Sequence, residues 1–182
     1  MAKLVSKVYG DALFEAAREQ KSLDTLFEEA KALKTVFQEN QELIGLLNHP
    51  QIVKEEKLSI MGACFQNRIS DEMMGFLTTV VDKGRQKDLP AILTYFTDRV
   101  KEFKKIGTAS VTTAVELSAA QKKQVTEKLL AVTEYVEFEM QYLVDPSLIG
   151  GMVIRIGDRV VDSSIKTQLR ELKRRLMSVQ LS

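Results

Sequence analysis

The stretch whose reading decides the fold runs from Leu148 to Leu176, LIGGMVIRIGDRVVDSSIKTQLRELKRRL. Met152, Ile154 and Ile156 alternate with Val153 and Arg155, the two-residue period of a strand with one buried face. Gly157-Asp158 follows, and glycine first in a two-residue loop suits a type II′ hairpin turn, which returns the chain through Val160 and Val161. Beyond Asp162 the period changes. Ile165, Leu169, Leu172, Leu176 and Val179 recur at helical spacing, so an amphipathic helix closes the chain. Gly150-Gly151 precedes a strand; it therefore marks a bulge or a close backbone approach and does not open a helix onto a phosphate.

Working outward, Val136, Phe138, Met140 and Tyr142 alternate with Glu137, Glu139 and Gln141, a second half-buried strand. Glu137 and Glu139 share its outer face, the placement an acid-base carboxylate pair needs, but the same alternation puts that face in water. Ser118-Ala-Ala-Gln121 is a capping box at a helix start. Thr108 to Val115 is rich in β-branched residues and reads as a strand. The part from 106 to 182 is thus an α+β domain of order strand, helix, strand, strand, strand, helix, and Gly107 marks its beginning.

Residues 1–105 are helical throughout. Leu23, Leu26, Phe27, Ala30, Leu33 and Phe37 share one face, as a helix on a core requires. A short helix around Leu43 to Leu47 stops before Pro50, which disfavours helical geometry at its predecessor. Leu58, Met61 and Phe65 mark the next helix. Ser70 is placed to cap another, with Asp71 and Glu72 in its first turn where the helix dipole favours negative charge. Asp88 and Pro90 open the last, whose expected buried stripe is Ile92, Leu93, Phe96, Val100 and Phe103. Six helices result. The fold class is mainly α with a small α/β part: an N-terminal six-helix bundle, then the C-terminal α+β domain.

Two of these helices are apolar beyond what one core needs. In the first, Ala2, Val5, Val8, Tyr9, Ala12, Leu13, Ala16 and Ala17 cover about half the circumference at ~100° per residue, interrupted near the edges by Ser6 and Glu19. In the fifth, Met73, Met74, Phe76, Leu77, Val80 and Val81 span roughly 160°. A helix resting on a single core needs little more than ~100°. Either both are central helices, or their surplus forms a groove for a partner's amphipathic helix.

The inventory for chemistry is poor. The 182 residues hold one histidine, His49, and one cysteine, Cys64. A cysteine or serine nucleophile with its histidine base is therefore hard to assemble, a four-ligand zinc site lacks ligands, and an internal disulfide is impossible. His49, between Asn48 and Pro50, suits a loop or helix-end role, and Cys64 suits core filling. Neither G-x-x-x-x-G-K-[ST] nor G-x-G-x-x-G is present. No catalytic residue, metal, cofactor or small-molecule substrate is expected. With 26 basic and 25 acidic side chains the net charge is +1, so no global field recruits nucleic acid. The basic set Lys166, Arg170, Lys173, Arg174 and Arg175 leaves a small RNA-binding adaptor as the alternative reading, although no aromatic residues interleave it for base stacking. No run approaches about 18 apolar residues, the length that spans a bilayer.

With these residues laid out, the chain resembles the delta subunits of bacterial F-type ATP synthases, relatives of the mitochondrial oligomycin-sensitivity-conferring protein. The resemblance rests on Val144 to Leu176, whose Asp145, Gly150-Gly151, Gly157-Asp158 and Asp162-x-Ser164 follow the family's landmarks in order, with support from YGDALFEAA at Tyr9, HPQIVKEEK at His49, the run from Arg85 to Leu89 and TAVEL at Thr113. Ser163 stands where a glycine is expected and Glu116 where proline is common.

The resemblance implies a non-catalytic peripheral-stalk subunit on the cytoplasmic face of the bacterial membrane, attached to it only through the complex. A domain of residues 1–105 would hold the N-terminal helix of an alpha subunit between its first and fifth helices, with Val5, Tyr9, Ala12, Leu13, Ala16, Met73, Met74, Leu77, Val80 and Val81 as candidate groove residues. A domain of residues 106–182 would contact the end of the b-subunit stalk, with Leu169, Leu172, Lys173 and Leu176 as candidates.

Overall fold

A computed structural model describes residues 2–179. The side chains of Ala2 and Val179, both placed on apolar faces above, lie outside the described ones. The protein is mainly helical, with a small four-stranded mixed sheet toward its C-terminus. It divides into two compact units, Met1–Lys101 and Glu102–Ser182.

In the first unit the described helices are α1 (Ala2–Glu19), α2 (Leu23–Glu39), α3 (Gln41–Leu47), α4 (Lys54–Phe65), α5 (Asp71–Asp82) and α6 (Leu89–Lys104), which runs on past Lys101. A 3-10 turn, Gln86–Asp88, precedes α6 and lies against α1. Each helix contributes a stripe to one core, in which Leu26, Leu33, Phe37, Met61, Met73, Leu77, Ile92, Leu93 and Phe96 are almost wholly buried. Phe37 meets Phe65 edge to face at 6.0 Å, a geometry that aligns one ring's positive edge with the other's negative face. The Ser70 hydroxyl accepts the Met73 amide and so caps α5, while Glu29 of α2 accepts both the Ser70 amide (2.7 Å) and its hydroxyl (2.8 Å).

The expected stripe of α6 is corrected at one position. Ile92, Leu93, Phe96 and Val100 are buried, but Phe103 is 57% exposed. It lies in the last helical turn, beyond the end of the first unit, just before Lys105 turns the chain at φ 55°.

The second unit has β1 (Ile106–Thr113), α7 (Ala119–Val132), β2 (Glu137–Val144), a 3-10 turn Pro146–Leu148, β3 (Met152–Ile156), β4 (Arg159–Asp162) and α8 (Ile165–Val179). Strand order is β2-β1-β3-β4, with β1 and β2 parallel and the other pairs antiparallel. The parallel pair needs the crossover that α7 supplies. Ser118 and Gln121 form the capping box at the start of α7. Residues 157 and 158 make the two-residue loop between Ile156 and Arg159, with Gly157 at φ 55°.

Register places Ala109, Val111, Phe138, Met140, Ile154 and Ile156 on one sheet face, against Leu129 and Val125 of α7. The Tyr142 hydroxyl reaches the Lys122 carbonyl at 3.1 Å, closing β2 onto α7. Glu137, Glu139 and Arg155 occupy the opposite face. Among the described residues the buried apolar side chains of this unit are Ala109, Val111, Leu129, Phe138 and Leu148, and partly buried neighbours pack against the cluster of Ala109, Leu129 and Phe138.

Candidate docking surfaces

Two surfaces stand out, one per unit. On α1 the buried face is Ser6, Gly10, Leu13, Phe14 and Ala17. Gly10 leaves room for α6: the Tyr95 ring lies where a Cβ would be. The Tyr95 hydroxyl donates to Asp11 Oδ1 at 3.0 Å, Arg99 approaches the same carboxylate at 3.9 Å, and its guanidinium stands over the Phe14 ring. The motif YGDAL thus carries a packing notch in Gly10 and a clamp in Asp11, neither of which periodicity revealed.

Anchoring through Gly10, Asp11 and Phe14 turns the opposite flank of α1 outward. Leu4 is 68% and Val8 58% exposed, and Ala12 and Ala16 are exposed with them. These four are each four residues apart, which makes a single ridge along the helix. Val5 and Tyr9 are half-buried and join the ridge to the core. The apolar arc read from the sequence is real, but its centre is not its buried side, because small residues at positions 6, 10 and 17 face inward.

The candidate groove residues divide accordingly. Leu13, Met73, Leu77, Val80 and Val81 sit in the chain's own core, each less than 5% exposed. On α5 it is Met73, Leu77, Val80 and Val81 that turn into the helical core. Val5, Tyr9 and Met74 are half-buried, and Ala12 and Ala16 are open.

In the second unit the landmark residues converge on the first turn of α8. Asp145 Oδ1 accepts the Ser147 amide at 2.9 Å and Oδ2 its hydroxyl at 3.0 Å, while Lys166 of α8 donates to the Ser147 hydroxyl at 3.1 Å. Asp162 accepts from the Ser164 amide (2.9 Å) and the Thr167 hydroxyl (2.8 Å), and the Ser164 hydroxyl accepts the Thr167 amide as an N-cap. Ser164 is fully buried. Hydrogen bonds from Ser147 hold the Asp145 carboxyl below its ordinary value, and bonds from Ser164 and then Thr167 do the same for Asp162, because each favours the charged acceptor.

The glycine pair makes this approach possible. The Gly150 carbonyl accepts the Ile165 amide at 3.0 Å, and a Cβ there would meet Ile165 Cδ1 at 2.7 Å. Gly151 adopts φ 74°, and a Cβ on it would run into the Ser163 carbonyl oxygen. Ser163, the departure from glycine, is not among the positive-φ residues, and its hydroxyl donates to the Met152 carbonyl at 2.9 Å. Asp158 lies exposed in the hairpin loop. The other departure, Glu116, stands 3.8 Å from Lys122.

Past its anchored start α8 is open. Ile165, Leu169, Leu172 and Leu176 are 40% to 61% exposed, and Lys173 is exposed beside them.

Catalytic geometry is sparse by comparison. His49 Nδ1 accepts the Gln51 amide at 3.3 Å, a local loop contact. Cys64 lines an open, largely apolar cleft of about 680 Å³ with Val36, Leu43, Leu46 and Arg68. Among the described residues no group of three or more His, Cys, Asp or Glu side chains is placed to hold a metal, and no helix is long and apolar enough to cross a membrane.

Comparison with known proteins places this arrangement. The family model for the ATP synthase delta (OSCP) subunit matches residues 5–176. ATP synthase subunit delta of Lachnoclostridium phytofermentans is 54% identical over 181 residues, covering 100% of both chains. The subunit of the same name from Desulforamulus reducens is 39% identical over 96% of each, and that of Brevibacillus brevis 32% identical over 93% of this chain and 96% of the relative. A chain in the cryo-EM structure of the Toxoplasma gondii mitochondrial ATP synthase hexamer shares the fold, with a TM-score of 0.71 over 94% of this chain and 97% of its own at 19% identity. By the family match over residues 5–176 and these relatives, the chain belongs to the ATP synthase delta (OSCP) subunit family.

Proposed function

We propose that this chain is the non-catalytic stator connector of an F-type ATP synthase, joining the catalytic head to the b-subunit stalk. It acts peripherally, on the cytoplasmic face of the membrane, and meets the membrane only through the complex. Rotation driven by protons, each worth about 2.3 kcal/mol per 100 mV, yields ATP only if the head is kept from turning with the rotor. A connector needs two grips on different partners, and both together add avidity when geometry permits.

The observation that carries the reading is an unfilled apolar surface on each unit of a member of this family. Residues 1–105 form the alpha-binding part and 106–182 the stalk-binding part. The alpha subunit's N-terminal helix docks on the α1 ridge of Leu4, Val8, Ala12 and Ala16, with Val5, Tyr9 and Met74 at its edges. Leu13, Met73, Leu77, Val80 and Val81 lie buried in the core of the same unit. Leu169, Leu172, Lys173 and Leu176 of α8 face the stalk. An RNA-binding adaptor finds no support among the relatives.

A pull-down with the alpha subunit's N-terminal peptide tests the first grip. Val8→Asp places a charge on an already exposed site, so the fold should persist while peptide binding weakens at least tenfold, roughly the 1.4 kcal/mol that separates decades of affinity. Unchanged affinity in a folded Val8→Asp variant rejects the ridge.

A further inference from the structure

The anchored first turn and exposed stripe of α8 specify what kind of partner it takes. Ile165, Leu169, Leu172 and Leu176 are spaced four, three and four residues apart, the alternation of a heptad seam. At ~100° per residue these four occupy only about 60° of the helix, narrower than the stripe by which a helix lies on a globular core. All four are exposed.

The charged residues beside the seam are of one sign. Lys166 and Lys173 border it on one side, Arg175 and Gln168 on the other, which are the positions that face a second helix and choose it by charge. No acidic side chain stands at these borders; Glu171 lies on the far side by the same geometry. A second copy would set these cations against each other and is disfavoured.

We infer that α8 pairs in heptad register with an amphipathic helix of another chain whose seam is flanked by glutamate or aspartate. This deepens the stalk-docking reading and rests on it for the identity of the site, since it adds the chemistry by which that site selects. The α8 hydrogen bonds to the Asp145 and Asp162 turns and to Gly150 fix the direction in which the seam leaves the sheet, so the partner meets an orientation set before binding. Such pre-ordering reduces the entropy lost on association.

The test uses the full-length chain and two synthetic three-heptad peptides with identical leucine seams, one flanked by glutamate and one by lysine. Binding is read by fluorescence anisotropy at low and high salt. The glutamate peptide should bind at least tenfold more tightly, and the advantage should shrink with salt. Lys173→Glu with Arg175→Glu, which leaves the Lys166 to Ser147 bond in place, should reverse the preference. Leu172→Asp should weaken both peptides, with circular dichroism checking that the helix persists.

Equal binding of the two peptides, or no binding of either, overturns the proposal. So does partition of α8 onto phosphatidylcholine vesicles containing phosphatidylserine in preference to the glutamate peptide. A third arm uses the C-terminal segment of the b subunit. If that segment binds but ignores the double charge reversal, the charge-selected seam fails and the stalk reading stands. If the glutamate peptide binds and the b segment does not, the stalk reading fails and the seam stands.

Discussion

The helical unit and the sheet unit treat their apolar residues differently. Before Lys101 the large apolar side chains that remain exposed among the described residues are Leu4, Val8, Leu46 and Val53; after it there are fifteen, including four of the five residues named for the closing helix's stripe. The first unit has buried most of what it has, leaving Leu4 and Val8 open on the α1 ridge and Leu46 and Val53 open apart from it. The second buries few apolar side chains, Ala109, Val111, Leu129, Phe138 and Leu148 among the described residues, and hydrogen-bonded turns hold the start of its closing helix. One closes over a core of its own, and the other leaves the apolar stripe of its closing helix open.

The largest effect that tests this contrast is in the helical core. Phe96 is wholly buried, and Phe96→Ala should cost about 3–5 kcal/mol through lost burial and the cavity left behind. Leu172→Ala, on a side chain 53% exposed, should cost under about 0.5 kcal/mol, as surface changes do. Urea denaturation followed by circular dichroism measures both. A comparable loss for Leu172→Ala means that α8 packs on its own chain and that the contrast is wrong.

Gly151→Ala sharpens the comparison next. The substitution forces a side chain into a positive-φ position and onto the Ser163 carbonyl, with an expected loss of roughly 2–4 kcal/mol from strain and overpacking. The small core of the second unit has little else to draw on, so the β-sheet amides should lose hydrogen-exchange protection while those of α2 and α6 keep theirs. Equal loss in both units shows that their stabilities are not separate.

The sequence carried the elements further than it carried their exposure. Period two and period 3.6 marked the strands and helices, and the Ser70 and Ser118 caps fell where their side chains indicated. Periodicity locates an apolar face but not which part of it the chain itself covers. On α5 Met73, Leu77, Val80 and Val81 went inward while Met74 and Phe76 stayed half-buried; on α1 a glycine notch under Tyr95 rotated the buried side away from Val8, Ala12 and Ala16. That notch pairs residues 85 positions apart, information no local window holds. The glycine pair was legible as a close backbone approach, whereas the convergence of Asp145, Ser147 and Lys166 depended on the register of two strands and a turn.

The smallest effect is the acid response, and it follows from the two depressed carboxyls. Asp145 and Asp162 have folded values below the ordinary one near ~3.9. A depressed carboxyl contributes stability that is fully present above its unfolded value and is lost as pH falls through its folded value. From neutral pH down to about 5 these groups should change nothing; below about 4 the α8 anchor should loosen as they protonate. Asp82 is also lowered, by its hydrogen bond to Lys54, but that exposed pair on the helical unit rests beside a large core and adds little. The amide resonances of Ser164 and Thr167 should therefore shift at a higher pH than those of α2 and α6 lose dispersion. Asp162→Asn keeps one acceptor oxygen and removes the titrating charge, so it should flatten the acid response at Ser164 while leaving that at Ser147. If Ser164 titrates unchanged in this variant, the carboxylate is not what pins the closing helix.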